Sequence, residues 1–145
     1  MVELRPVTKD NIDAVLELNV FEEQRAFVSS TVESLAQAYV YRETAFPFAV
    51  YADEEPVGFI MMGYYEEKAY YTLWKLLIDR KHQRKGYGRK ALELGILFLK
   101  ERYRVSDIYT GVSPGNTAAK SLYLSMGFKE TGVFENNMEE LRLEL

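Results

Sequence analysis

Leu73-Trp74-Lys75-Leu76-Leu77-Ile78-Asp79-Arg80-Lys81-His82-Gln83-Arg84-Lys85-Gly86-Tyr87-Gly88-Arg89-Lys90 is the stretch on which the reading of this chain turns. Its first six residues form an apolar run that reads as a strand. Ala91 to Tyr103 beyond it reads as an amphipathic helix, with Leu92, Ile96, Leu99 and Tyr103 at helical spacing. Two glycines and six cations (Arg80, Lys81, Arg84, Lys85, Arg89 and Lys90) therefore stand where a strand turns into a helix N-terminus. Free backbone N–H groups point outward there, and the helix dipole favours an anion. Glycine lets the backbone approach a ligand closely. A phosphate-bearing ligand suits all three properties.

Upstream of that stretch, Val2 to Pro6 reads as a short strand, and Thr8 can cap a helix running to Leu18. A polar and aromatic segment, Phe21 to Ser29, follows. Ser30-Thr31-Val32-Glu33 has the capping-box pattern and predicts a second helix to about Thr44. Phe48 to Ala52 and Val57 to Tyr65 flank the turn residues Asp53-Glu54-Glu55-Pro56 and predict a hairpin. Ala69 to Ile78 is the next strand. Downstream, Asp107 to Val112 reads as a strand and Asn116 to Met126 as a helix ended by Gly127. Phe128 to Phe134 and Met138 to Leu145 close a hairpin around Glu135-Asn136-Asn137. The order β-α-α-β-β-β-α-β-α-β-β predicts a mixed α/β (α+β) fold with a mostly antiparallel central sheet and flanking helices. The 145 residues suit one domain, 1–145.

Composition narrows the function. A net charge of −4 argues against a general nucleic-acid binder, although the six cations near the glycines stand without an intervening acid. The absence of cysteine excludes disulfides, thiolate metal sites and an acyl-cysteine intermediate. A single histidine, His82, without a clustered acid pattern offers no metal site. It reads as a solvated or phosphate-adjacent group rather than a general base. No signal-peptide pattern opens the chain, and no apolar run approaches the ~20 residues that span a bilayer. The expectation is a cytoplasmic protein with no metal, nucleic-acid or membrane partner.

Gly86-Tyr87-Gly88-Arg89-Lys90-Ala91 formally fits the dinucleotide fingerprint G-x-G-x-x-G/A. That loop should directly follow its strand within a repeated βαβ fold. Here polar residues intervene and antiparallel strands precede, which disfavours the dinucleotide reading. The P-loop pattern G-x-x-x-x-G-K-[ST] is absent.

Gln83-Arg84-Lys85-Gly86-Tyr87-Gly88 resembles, position for position, the Q/R-x-x-G-x-G/A loop of the GNAT acetyltransferase superfamily. A second motif lies about thirty residues on. Asn116-Thr117-Ala118-Ala119-Lys120-Ser121-Leu122-Tyr123-Leu124-Ser125-Met126-Gly127-Phe128 matches N-x-x-A-x-x-x-Y-x-x-x-G-F. The strand order fits a GNAT-like sheet over nearly the whole chain. The resemblance implies acetyl-CoA as co-substrate and acetyl transfer to a primary amine. It implies that the backbone of residues 84 to 89 cradles the pyrophosphate, with Gln83, Arg84, Lys85, Gly86, Tyr87, Gly88 and Arg89 in the loop. It further implies that the strand ending at Leu77 and Ile78 pairs with the pantetheine arm.

Such a transfer needs a docked thioester, a donor for its carbonyl oxygen, a proton for the leaving thiolate and a neutral amine. The chain has eleven tyrosines, so tyrosine as a type carries little information. Tyr123, by its place in the second motif, is the candidate general acid. Asn116 either caps its helix or, as the resemblance implies, also contacts pantetheine or acceptor. Lys120 either reaches a CoA phosphate or is a solvated lysine. With no cysteine, direct attack in a ternary complex is expected.

By the same resemblance, the segment after the first helix shapes the acceptor site. Its paired acids and aromatics look like those of bacterial spermine/spermidine N-acetyltransferases, in which acids receive a polycation. Glu22 and Glu23 are the candidate acceptor acids, with Glu17, Glu66 and Glu67 behind them; a merely solvated acidic face is the plainer alternative. Acetylation of a peptide N-terminus, an amino acid or an amino sugar, and a non-catalytic CoA-binding sensor, stay open as alternatives. The C-terminal strands are edges at which a homodimer could form.

Overall fold

The computed structural model describes all 145 residues. Strands β1 (Val2–Pro6), β2 (Ala45–Ala52), β3 (Glu55–Tyr65), β4 (Tyr70–Ile78), β5 (Asp107–Val112), β6 (Lys129–Glu135) and β7 (Met138–Glu144) form one sheet. Helices α1 (Ile12–Glu17), α2 (Thr31–Val40), α3 (Tyr87–Tyr103) and α4 (Thr117–Ser125) flank it. The strand order is β1-β2-β3-β4-β5-β7-β6, with β4–β5 the one parallel pair. This is the mixed, mostly antiparallel sheet that the sequence predicts, in the predicted element order.

Both tight hairpins are set locally. Asp53 and Glu54 join β2 to β3 with φ of 49° and 70°, and Asn136 and Asn137 join β6 to β7 with φ of 52° and 60°. Two successive left-handed residues make the turn whose twist matches the flanking strands. Asparagine tolerates that conformation better than most residues.

Four boundaries differ from expectation by three residues or more. The first helix begins at Ile12, with Asn11 rather than Thr8 as its N-cap. The second helix stops at Val40 instead of Thr44, and β2 begins at Ala45 instead of Phe48. Pro47 lies one residue beyond the last β1 pairing, Pro6 with Phe48, so the missing N–H costs no β1 ladder bond. The long helix begins at Tyr87 rather than Ala91, so the glycine loop is itself the first helical turn.

The sheet separates two apolar layers. Val15, Leu18, Ala38, Phe59, Met61 and Leu77 pack on the α1–α2 side. Ile60, Met62, Leu92, Leu99, Ile108 and Phe128 pack on the α3–α4 side. Burying each large side chain contributes about 1.5–3 kcal/mol. Gly95 lets α3 settle on the sheet, since a Cβ there would stand 2.9 Å from Met62 Sδ. Tyr103, expected in the core, is 37% exposed and packs flat on Tyr71 instead.

One irregularity places the site. β4 and β5 pair only through Thr72 with Tyr109 and Leu73 with Thr110. Beyond Leu73 the two strands separate, which frees one edge of Trp74 to Ile78. The Thr110 hydroxyl donates to the Leu73 carbonyl at 3.1 Å, tying off the ladder where it ends.

Candidate active site in the cleft between β4 and β5

The separation opens a cleft of about 330 Å³. Leu77 and Ile78 of β4, the loop residues Gln83, Arg84, Gly86, Tyr87 and Gly88, and Asn116 and Tyr123 all line it. Nine of the predicted site residues thus meet in one place, from four separate elements.

The loop is built from its own backbone. Asp79 stands at the end of β4, and its carboxylate accepts from the N–H groups of Asn19 at 2.8 Å and Lys81 at 3.2 Å. The chain turns through a short 3₁₀ turn, Arg80–His82, and two left-handed residues follow, Arg84 at φ 64° and Gly86 at φ 81°. Gly86 is the N-cap of α3 and brings no capping side chain. The first N–H groups of this 17-residue helix are therefore left for an anion. A Cβ on Gly88 would find its nearest protein atom, Ile78 Cγ1, at 3.7 Å, an ordinary contact. The protein does not itself require glycine at 88.

The Gln83 side chain points inward. Its amide donates to the Ile78 carbonyl at 2.9 Å and to Gln24 Oε1 at 2.8 Å, and it accepts from Gln24 Nε2 at 3.0 Å. Gln24 Oε1 also accepts from the Phe21 N–H at 3.1 Å. Gln83 therefore fastens the loop to β4 and to the segment after α1, leaving any phosphate contact to the backbone and to Arg84. His82 lines the cleft with Nε2 3.5 Å from Glu55.

Tyr123 projects from α4 into the cleft wall and is 8% exposed. Burial pushes its phenol up to about 12, with the neighbouring Thr110 hydroxyl opposing the shift. The phenol is therefore protonated throughout the physiological range. Asn116 caps α4: its Oδ1 accepts from the Ala119 N–H at 3.4 Å, while its residue also borders the cleft. Both parts of the two-sided reading of Asn116 are compatible with this position.

Other predicted residues lie elsewhere. Lys120 is engaged by Glu139 at 2.7 Å and Glu130 at 2.9 Å, beside a second depression outside the cleft. Those contacts raise its pKa, through Glu139 first. Arg89 donates to Ser125 Oγ, and neither it nor Lys85 lines the cleft. Glu22 and Glu23 form an exposed 3₁₀ turn and face solvent. The acceptor-side segment reaches the cleft through Gln24, Phe27, Val28 and Ser29 instead.

The cleft also holds residues that the sequence reading did not single out as site residues. Lys75 lies half-buried in the wall and donates to Ser29 Oγ at 2.6 Å. Burial lowers its pKa, with Glu33 opposing. Only its position inside an apolar strand could have flagged it. Gln24 carried no signal, because its partner is 59 residues away.

Comparison with known proteins agrees with this geometry. Residues 12–128 match the family model described as Acetyltransferase (GNAT) family. The chain is similar to a spermine/spermidine N(1)-acetyltransferase of Bacillus subtilis (strain 168), 30% identical over 99% of this chain and 97% of the relative. An acetyltransferase structure from Thermus thermophilus superposes with a TM-score of 0.76 at 26% identity, over 99% of this chain and 97% of that one. A spermidine N-acetyltransferase from Vibrio cholerae, solved in complex with CoA and spermine, has a TM-score of 0.72 over 97% and 92% of the two chains. At 19% identity, that last likeness concerns the fold. No helix of the chain is long and apolar enough to cross a membrane.

Proposed function

The chain belongs to the GNAT acetyltransferase family and uses acetyl-CoA, and on that premise we propose that it acetylates the primary amine of a small molecule by direct attack in a ternary complex. The amine nitrogen attacks the thioester carbonyl carbon, and the C–S bond breaks as the tetrahedral intermediate collapses. Tyr123 gives its proton to the departing sulfur, yielding CoA as the thiol. The ammonium proton of the attacking nitrogen passes to water, and water returns a proton to the Tyr123 phenolate, restoring the acid. In this reading an N–H on the β4 edge beyond Leu73, near Leu77, polarises the thioester oxygen. The α3 N-terminus and Arg84 hold the pyrophosphate.

The observation that supports this reading most is Tyr123: a phenol kept neutral by burial, opposite a strand edge without a β partner. A thiol sulfur developing charge in the same dry wall draws that proton more strongly than it would in water. The direct route is tested by incubating the enzyme with acetyl-CoA and a panel of primary amines. Thiol release that depends on the amine, with no acetylated protein by mass spectrometry, is the expected result. A covalent acetyl-enzyme on the turnover pathway would refute direct attack.

A polyamine acceptor is the finer reading that the Bacillus relative favours, through similarity over nearly its whole length. No aspartate or glutamate lines the cleft, so in this reading the second ammonium of a polyamine extends beyond it toward Glu22 and Glu23, exposed on the turn that ends at Gln24. Replacing both with glutamine should then raise KM severalfold more for spermine than for a monoamine. Equal effects on both acceptors would remove these acids from the acceptor site.

A further inference from the structure

The acceptor side of the cleft carries a cation where a polycation site would need anions. Lys75 sits in β4, and a bulge decides which way it points. Across the β3–β4 ladder, Met62 pairs with Leu73 and Met61 pairs with Lys75, so Trp74 is the extra residue. Met62 belongs to the apolar layer under α3, and Met61 to the layer under α1 and α2. Without the bulge, strict alternation would put Lys75 on the same side as Leu73, beneath α3. The bulge turns it to the opposite face, where Phe27, Val28 and Ser29 close the cleft.

An ammonium has three donors. Lys75 uses one on the Ser29 hydroxyl at 2.6 Å, and no other hydrogen bond engages it. Its Nζ stands 5.9 Å from the centroid of the Trp74 ring. It takes part in none of the ion pairs of the chain, which join N and O within 4.0 Å; Glu33, exposed at the start of α2, acts on it from farther off. A half-buried cation without an ion-pair partner is costly unless a ligand supplies the anion. The donor's phosphates are claimed by the loop at the far end of β4, on Arg84 and the α3 N-terminus. What remains for Lys75 is an anion on the other substrate.

We propose that the acceptor is an amine that also carries a carboxylate, an amino-acid-like molecule, and that Lys75 with Ser29 receives that carboxylate. The proposal rests on the acetyltransferase reading and sets the acceptor class within it. The carboxylate pairs with the ammonium and accepts from the Ser29 hydroxyl, which points the amine toward the thioester end of the cleft. A plain diamine places a second ammonium there and is repelled by Lys75.

Matched pairs that differ only in the carboxylate test this: ornithine against putrescine, lysine against cadaverine, 2,4-diaminobutyrate against 1,3-diaminopropane. Acetyl-CoA binding is measured first, by calorimetry. The expected result is a kcat/KM about ten- to hundredfold higher for at least one carboxylated member than for its partner, the range of a charged hydrogen bond. Lys75→Met should bring that ratio near one through KM, with acetyl-CoA affinity unchanged, and Lys75→Arg should keep part of it. Equal or better turnover of the diamines overturns the proposal, and leaves the acetyltransferase reading intact. So does a ratio that survives Lys75→Met, an equal loss on both members, or acetyl-CoA binding with no turnover of any pair. Failure to bind acetyl-CoA at all overturns the reading beneath it as well.

Discussion

Tyr123→Phe separates the proposed acid role of the phenol from its structural one, because the substitution removes a single oxygen. The ring keeps its packing on Phe128, with centroids 5.7 Å apart. The Thr110 hydroxyl still donates to the Leu73 carbonyl at 3.1 Å, so no donor is orphaned. Folding stability at pH 8 should therefore change by only about 1 kcal/mol. Loss of a general acid typically costs ~10²–10⁴ in rate, or about 3–5 kcal/mol of transition-state stabilisation. That loss should appear in kcat, with KM for acetyl-CoA within about twofold of wild type. The phenol also makes a thermodynamic prediction. Its folded pKa is raised to about 12, against ~10 in the unfolded chain. The stability it lends is fully present below pH 10 and is lost as the pH rises through 12. Integrated over that window the loss is about 2–3 kcal/mol. Urea unfolding followed by circular dichroism at pH 8 and 11.5 reads it, because the other tyrosines titrate in both proteins and cancel. The phenylalanine variant should be destabilised less by alkali than wild type, by on the order of 2 kcal/mol. A kcat within about threefold of wild type would refute the acid role. An identical alkaline loss in both proteins would refute the neutral phenol.

Two further substitutions probe the loop. Gly88→Ala meets only ordinary protein contacts and adds a better helix former, so it should hold or raise Tm while weakening acetyl-CoA binding about tenfold or more; Gly86→Ala, at φ 81°, should instead cost ~1 kcal/mol of stability. Unchanged acetyl-CoA affinity in Gly88→Ala, read by calorimetry, would remove the close backbone approach. Gln24→Leu breaks the paired amides and leaves Gln83 without its partner in a partly buried setting. Its kcat should fall about tenfold and its acetyl-CoA KM should rise, while Gln24→Glu, which keeps an acceptor for Gln83 Nε2, should lose less; equal losses would deny the amide pair a positioning role.

The glycine loop and the second motif, which meet in the cleft, were legible because each is local. The glycines and cations of 83–90 and the motif from Asn116 to Phe128 are contiguous stretches, and each folds into one helix terminus or one helix. The hairpin turns were legible for the same reason. The acceptor half was not. Glu22 and Glu23 drew notice as adjacent acids, yet in a three-residue 3₁₀ turn they point outward, and their neighbour Gln24 points in. Lys75 looked like an ordinary interruption of an apolar strand, because its orientation depends on a bulge defined by the pairing of β3 with β4. Period-2 alternation cannot foresee an extra residue that exists only in the ladder. The start of α3 was missed by four residues, where glycines 86 and 88 sent a breaking signal that tertiary placement overrode.

The proposed direct transfer would require two substrates to be held at once, and the chain fastens the two sides of the cleft to one strand end. From the end of α1, the Asn19 N–H reaches the Asp79 carboxylate and the Asn19 carbonyl accepts from the Arg80 N–H, each at 2.8 Å. From the turn after it, Gln24 grips Gln83, which also holds the Ile78 carbonyl. The segment after α1 and the glycine loop are thus joined at residues 78 to 83. An error of ~1 Å between reacting groups costs ~10²-fold in rate, so these neutral hydrogen bonds bear on catalysis more than surface charge does. Of the 22 acids in the chain, none lines the cleft. Their field attracts amines of every kind from solution, but solvent and salt screen it beyond ~8–10 Å. In the carboxylate proposal, discrimination among acceptors comes from groups inside the cleft. On the side closed by Phe27, Val28 and Ser29 the only charged one is Lys75, fixed in orientation by the strand proposed to guide the donor.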